Sequence, residues 1–208
     1  MAYHSKFEFL LVLFAFPVCF YSCFNAEMAK EQANKQIEVL IEIEKLNKER
    51  ERIISTNMNG GQHECLYFQK DYRYNDDFAE KIKGIYTKYG VVDDVFATEE
   101  YSLMFNKLVG LIYRDTIFQD KYMYDMKTSF EEGKATGRCY AELTDIIQSS
   151  RHNEQIFGTI MGYQSPIIKD LSNLDTRRKK VNLCKYEIAE KAFLDENSKN
   201  AMTHYACG

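Results

Sequence analysis

An uncharged apolar block constrains the fold and the compartment of this chain more than any other feature of its sequence. From Phe9 to Phe24 the block spans 16 residues and contains Pro17, whereas an untilted membrane span needs about 20 apolar residues. Lys6 precedes the block, and a strongly polar segment follows it. This order is typical of a secretory signal peptide. We therefore expect residues 1–26 to be a signal peptide and the protein to be secreted and extracellular, with no membrane span in the mature chain.

Two alternatives for this block stay open. Cleavage after Ala26 would place the bulky Phe24 at a position where signal peptides prefer a small residue. An uncleaved block would form a short membrane anchor. In a bacterial protein, Ser22-Cys23 would instead be a lipidation site, with the acyl chain on Cys23.

Four cysteines follow the apolar block, and an even number in an oxidising compartment predicts two disulfide bonds. They are Cys65, Cys139, Cys184 and Cys207. Each bond would close a long loop and contribute about 3–5 kcal/mol in the chain-entropy account. Sequence alone leaves all three connectivities open. A zinc site is not expected, because cysteine ligands come in close pairs such as CxxC and the nearest pair here is 23 residues apart.

The composition and the apolar periodicity after the block favour an all-α fold. About 182 residues remain, enough for one well-buried domain, and Pro166 is the only proline among them. We predict a disulfide-stapled bundle of about six helices in a single domain over residues 27–208. A division into two helical units, about 27–139 and 140–208, stays open. Helical patterns cover 27–56, 76–89 (closed by Gly90), 98–132, 138–149, 152–163 and 165–194, and a last turn covers 198–206.

Each of these four cysteines has a tyrosine within two positions along the chain. The tyrosines are Tyr67, Tyr140, Tyr186 and Tyr205. An amphipathic ring that packs over a cystine, with its hydroxyl toward water, explains this pairing without any chemistry at the hydroxyl. We therefore interpret these tyrosines as parts of the architecture.

A signal peptide followed by two cysteine–tyrosine–cysteine units in a small helical protein resembles the bicycle proteins, a class of aphid salivary effectors. The resemblance implies units that run from Cys65 to Cys139 and from Cys184 to Cys207. It also implies secretion by an insect salivary gland into plant tissue, where the protein would act on a host target. It implies no catalytic residue.

One dense basic run, Arg177-Arg178-Lys179-Lys180, stands out in the second half of the chain. A solvated face of an amphipathic helix is the interpretation that we favour. The functional alternative is a basic contact, either a nuclear address inside a host cell or a phosphate contact. The net charge of −4 and the pI of about 5.7 give no bulk attraction to nucleic acid, so no nucleic-acid partner is expected.

No catalytic pattern occurs in the sequence: there is no GxSxG, P-loop or GxGxxG, and His63-Glu64-Cys65 lacks the second histidine of HExxH. We expect no enzyme, no catalytic residue, no metal and no cofactor. The predicted function is that of a secreted binding or effector protein that contacts a host protein through a helical surface. The alternatives are a carrier of an apolar ligand in a helical cavity and a bacterial periplasmic or lipid-anchored inhibitor or immunity protein. A hydrolase would need a cleft that gathers groups such as His63, His152, Asp93 and Asp94.

Overall fold

The computed structural model describes residues 27–52, 76–93, 97–161 and 165–205, and for 197–205 it describes the backbone alone. In this part of the chain the protein is all-α, with seven α-helices and one very short sheet, so the predicted fold class is confirmed. The helices are α1 (27–52), α2 (Asp76–Tyr89), α3 (Glu99–Gly110), α4 (Thr116–Glu131), α5 (Gly137–His152), α6 (Leu174–Lys180) and α7 (Tyr186–Tyr205). None of the helices in these ranges is both long enough and apolar enough to cross a membrane.

The chain divides into two compact units after Ile41. In the first unit, residues 27–41 are helical and mostly exposed, and Lys35 Nζ lies 2.7 Å from Glu31 Oε1, one turn away on the same helix. The second unit comprises residues 42–208, and all features described below belong to it.

The second half of α1 lies antiparallel to α2, and polar contacts along the pair fix their register. Glu42 accepts hydrogen bonds from Lys88 Nζ at 3.0 Å and from Tyr89 Oη at 3.1 Å. Two turns further along α1, Glu49 accepts a bond from Lys81 Nζ at 2.8 Å. Ascending positions on α1 therefore meet descending positions on α2.

Tyr122 on α4 lies at the centre of the apolar core of the second unit. Its side chain is fully buried, and its ring centroid lies 5.6 Å from that of Phe105, 5.7 Å from that of Tyr86 and 6.2 Å from that of Phe118. The Tyr122 hydroxyl accepts a bond from Val92 N at 3.3 Å, so this buried oxygen has a hydrogen-bond partner, as buried polar atoms usually do. Helices α2, α3 and α4 therefore share one aromatic core.

The predicted helix over 76–89 is confirmed, because its signals are local. Acidic Asp76 and Asp77 lie in its first turn, and Gly90 follows its last residue with a φ of +80°. Glycine reaches that left-handed conformation without steric cost, so it ends a helix readily. The expected pattern over 27–56 is helical as far as residue 52, and 53–56 lie outside the described residues.

The single helix predicted over 98–132 is wrong, because the chain forms α3 and α4 there with a turn between them. The N–H groups of Leu111 and Ile112 end α3, because they bond to the carbonyls three residues earlier, those of Leu108 and Val109. Asp115 then begins α4, since its side chain accepts the N–H of Phe118. Apolar spacing continues across this turn and hides it from a periodicity argument.

The helices predicted over 152–163 and 165–194 are also wrong. Helix α5 continues through 149–152, and Asn153 ends it with a φ of 55°. Strand β1 (Glu154–Gln155) then pairs in parallel with β2 (Ile167–Ile168), and a 3-10 helix (Leu171–Asn173) precedes α6. Asp170 and Asn182 have φ values of 46° and 56°. Asn and Asp tolerate this left-handed region best among residues with a side chain, so three ordinary polar residues interrupt the expected helices.

Candidate functional site

Several sequence-predicted residues meet in the irregular part of the fold between α5 and α7, and Asp145 on α5 organises it. The Asp145 carboxylate is fully buried. Its Oδ1 accepts the N–H groups of Ile156 at 2.6 Å and Phe157 at 2.8 Å, and its Oδ2 accepts both N–H and Oγ1–H of Thr159 at 2.8 Å. Burial raises the pKa of Asp145, and these four bonds oppose that rise. One carboxylate therefore fixes the turn that follows β1.

Gln155 closes the base of the loop that joins the two strands. Its side chain is fully buried. The Gln155 Nε2 group donates to Pro166 O at 2.8 Å and to Ile160 O at 3.2 Å, while its Oε1 accepts Ile160 N at 3.1 Å. The helix predicted over 165–194 therefore does not begin at Pro166, whose carbonyl instead accepts this bond from Gln155.

Arg178, from the predicted basic run, points into the protein. Only 3% of this residue is exposed. Its Nη1 donates to the carbonyls of Phe157 at 2.6 Å and Gly158 at 3.2 Å, and its Nε donates to Cys184 O at 2.6 Å. The guanidinium offers several donors at fixed angles, so one side chain reaches all three carbonyl oxygens. Arg178 therefore joins the turn after β1 to the segment that leads into α7.

Arg177 makes a similar set of bonds on the neighbouring side of α6. Its Nε donates to Ile156 O at 2.8 Å and its Nη1 donates to Asp170 O at 3.0 Å, while Nη2 donates to Lys169 O. Two of the four basic residues are thus engaged with backbone carbonyls. The other two, Lys179 and Lys180, are exposed.

Tyr186 covers the Arg178 guanidinium. The Tyr186 ring centroid lies 5.8 Å from Arg178 Cζ, a cation–π distance. Gly158 lies under the same ring with a φ of +64°, and a Cβ at that position would lie 2.9 Å from two ring carbons. Tyr186 is half-buried, and its hydroxyl donates to Glu190 Oε1 at 3.3 Å. The ring, the glycine and the arginine form one layered contact.

Tyr140 packs in a second aromatic contact beside this layer. Its ring is stacked on Phe130 at 5.5 Å with an interplanar angle of 5°, and it meets Phe157 edge-on at 6.0 Å. Phe157, Ala141 and Val181 form a small buried cluster with it. Tyr140 therefore connects the end of α4 to the turn that Asp145 holds.

The structure describes two of the four cysteines predicted to form disulfide bonds. Cys139 is buried between α5 and α3, where its Sγ donates to Glu99 O at 3.9 Å and its carbonyl accepts Asn106 Nδ2 at 2.9 Å. Cys184 is exposed, and no disulfide links it to Cys139. Cys65, Cys207 and Tyr67, as well as the side chain of Tyr205, lie outside the described residues.

The groups that a hydrolase would need do not converge among the described residues. Asp93 is buried and accepts Ser129 Oγ at 2.6 Å, whereas His152 is exposed at the end of α5. His63 and Asp94 lie outside the described ranges. Within those ranges no three His, Cys, Asp or Glu side chains are placed to hold a metal ion.

A separate exposed face lies on α4. Ile117 is 83% exposed and Tyr124 is 70% exposed, the two highest values among large apolar side chains in the described part of the chain. Lys121 lies between them, and its Nζ is 5.0 Å from the ring centroid of Tyr86. Spacings of four and three residues put Ile117, Lys121 and Tyr124 on one side of the helix. We call these three residues the α4 face.

Sequence reasoning missed Asp145, Gln155 and the α4 face. Helix α5 is buried around most of its circumference, so its periodicity gives no sign that Asp145 points inward. The α4 face has a weak signal in the sequence, because Ile117 and Tyr124 lie off the stripe that contains Phe118 and Tyr122.

Comparison with known proteins gives no match to a family model, to a curated protein or to a solved structure.

Proposed function

We propose that this chain is a secreted binding protein whose α4 face contacts a host protein. The exposure of Ile117 and Tyr124 is the observation that supports this proposal most directly. Tyrosine is among the residues that most often dominate the energy of a protein interface, and an aliphatic neighbour excludes water around it. Lys121, which lies over the Tyr86 ring, adds a cation whose position is already restricted.

The buried polar groups of the C-terminal part are used to hold its own backbone. Asp145, Gln155, Arg177 and Arg178 all direct their donors and acceptors at the backbone of the same irregular segment. Groups used in this way stabilise a shape, because any reaction at them would break the bonds that hold the loop.

The compartment and the host are part of the same proposal. The apolar block at 9–24 favours a cleaved signal peptide, and the resemblance to bicycle proteins favours an insect salivary effector that acts in plant tissue. Two disulfide bonds among Cys65, Cys139, Cys184 and Cys207 would then staple the bundle. The intact mass of the protein secreted by a eukaryotic host, before and after reduction and alkylation, tests this part. A chain that begins near residue 27 with no alkylatable thiol before reduction supports it, and a full-length chain with free thiols contradicts it.

Proximity labelling in plant leaf tissue tests the α4 face. The native chain is compared with the double variant Ile117→Ser/Tyr124→Ala and with Leu194→Ser, a matched control that removes another exposed apolar side chain, 60% exposed on α7. We expect a host protein that the native chain and the control both label and that the double variant labels at least tenfold less. Calorimetry with that purified protein should show a loss of about 30-fold or more in affinity. Equal labelling by all three chains would contradict the proposal.

A further inference from the structure

The segment 167–188 combines exposed cations with exposed apolar side chains. Between Lys169 and Lys185 the chain has six Lys or Arg residues and two Asp residues, although the whole chain has a net charge of −4. Lys179, Lys180 and Lys185 are exposed. This part of the molecule is therefore locally basic on an acidic protein.

Both acidic residues in this interval already have partners. The Asp170 carboxylate accepts Ser172 Oγ at 2.7 Å and Asn173 Nδ2 at 2.8 Å, and it lies 3.5 Å from Arg177 Nη1. Asp175 Oδ1 accepts Tyr186 N at 2.9 Å. Segment 167–188 also contains the exposed acid Glu187, and its exposed Lys169 lies 3.5 Å from Glu154. Lys179, Lys180 and Lys185 outnumber that acid, so the segment stays locally basic.

Three large apolar side chains are exposed in the same segment. Ile167 is 69% exposed, Leu171 is 63% exposed and Ile188 is 58% exposed. The bonds from Arg177 to the carbonyls of Lys169 and Asp170 tie the region of Ile167 and Leu171 to α6, and the bond from Tyr186 to Asp175 ties the start of α7 to it. The cations and the apolar side chains thus belong to one connected piece of structure.

The division of the basic run between arginine and lysine indicates the chemistry of the partner. An arginine fork suits a fixed carboxylate or phosphate, because it offers paired donors in one plane. Here both forks are used inside, on backbone carbonyls. The outward cations are lysines, which act as hydrated point charges on flexible stems and suit a diffuse layer of negative charge. Exposed Ile and Leu beside such lysines can enter the boundary between lipid headgroups and acyl chains.

We propose that segment 167–188 docks on the surface of a bilayer that contains anionic phospholipid. Lys179, Lys180 and Lys185 supply the attraction to the headgroups, and Leu171 with Ile167 and Ile188 supplies shallow apolar contact. The segment lies on the surface and does not span the bilayer. This last step rests on the proposed delivery into a host: docking would then concentrate the protein at the cytoplasmic leaflet of a host membrane, where anionic lipid is enriched.

Vesicle co-sedimentation of the full chain tests this docking. The probes are large unilamellar vesicles of phosphatidylcholine alone and of phosphatidylcholine with about 30% phosphatidylserine, at low salt and at high salt. We expect binding to the anionic vesicles that is lost at high salt, since the attraction is screened within a Debye length. Each lysine near such a surface contributes roughly fivefold, so Lys179→Gln/Lys180→Gln/Lys185→Gln should lower the partition coefficient about a hundredfold.

A matched triple variant controls for net charge. Lys45, Lys48 and Lys127 are exposed elsewhere on the chain, and their replacement by Gln should lower binding less than tenfold. Leu171→Ser should also weaken binding, because it removes apolar contact at unchanged charge. The α4 double variant should bind vesicles as the native chain does, so the two proposals fail or succeed independently.

Three outcomes would overturn the docking proposal. The first is the absence of binding to anionic vesicles at low salt, and the second is equal binding to neutral vesicles. The third is that soluble polyglutamate, at the same concentration of negative charge, displaces the protein from the vesicles while Leu171→Ser leaves vesicle binding unchanged. That result would assign the surface to an acidic polypeptide instead.

Discussion

Removal of the Arg178 guanidinium should destabilise the C-terminal part of the fold far more than removal of the neighbouring charge at Lys179. Arg178 is 3% exposed and bonds to the carbonyls of Phe157, Gly158 and Cys184. A buried acceptor that loses its donor costs about 1–3 kcal/mol. Arg178→Ala leaves three such acceptors without their donor, but it also removes the cost of burying the guanidinium charge, which offsets part of the loss. We therefore expect Arg178→Ala to lower the free energy of unfolding by about 3 kcal/mol.

A conservative variant separates the charge of Arg178 from its geometry. Arg178→Lys keeps a cation but cannot reach all three carbonyl oxygens, so we expect it to recover about half of the lost stability. Lys179→Ala is the control and should change the free energy of unfolding by about 0.5 kcal/mol or less, as exposed substitutions usually do.

Urea denaturation followed by far-ultraviolet circular dichroism measures these differences, because most of the described chain is helical. Hydrogen exchange locates them. The Phe157 and Thr159 amides, which donate to Asp145, should lose protection in Arg178→Ala, whereas amides in the middle of α3 should keep theirs. Equal midpoints for Arg178→Ala and Lys179→Ala would refute the assignment of Arg178 as an internal donor.

Two further changes test other parts of the fold. Asp115→Ala should cost about 1 kcal/mol at neutral pH, because it removes the cap of α4. The bond from the Phe118 N–H, and to a lesser extent Lys83, lowers the pKa of Asp115. The stabilisation that the Asp115 carboxylate provides is therefore present above the ordinary pKa of 3.8 and is lost as pH falls through the lowered value. A cost of Asp115→Ala that persists below the lowered pKa would contradict this pH dependence. Gly137→Ala should lower the melting temperature and cost about 1–3 kcal/mol, because the added Cβ would lie 1.7 Å from Val181 O. An unchanged melting temperature would show that α5 and the Val181 region are not in contact.

The parts of the fold that sequence could predict are those where local signals agree with tertiary packing. Helix α2 has acidic residues at its start, a single apolar stripe and Gly90 at its end, and each of these signals acts within a few residues. The turn between α3 and α4 lacks such agreement. Apolar residues continue through Leu111 and Ile112, and only Asp115 marks the new start. An argument from apolar spacing depends on many residues and gives little weight to a single cap, so it predicts one helix where the chain forms α3 and α4.

The C-terminal part was beyond a periodicity argument for a different reason. Its shape depends on contacts between residues far apart in sequence, such as Asp145 with Thr159 and Arg178 with Phe157. Among the described residues there, the buried apolar side chains are few, chiefly a small cluster around Phe157 and Val181 together with Leu174. Hydrogen bonds of buried polar side chains to the backbone, which no local pattern records, therefore select strand, turn and short helix over the long helices that the spacing favours.

The basic run divides into two arginines with structural bonds and two exposed lysines within one short helix. Helix α6 has seven residues, too few for a stable helix in water on their own. Arg177 and Arg178 attach it to the carbonyls around it, and the helical period then directs Lys179 and Lys180 outward. The exposure of the lysines consequently depends on the bonds of the arginines. A variant of either arginine would disturb both stability and surface charge, so among the four basic residues only the lysines can test docking on a membrane without changing the fold that presents them.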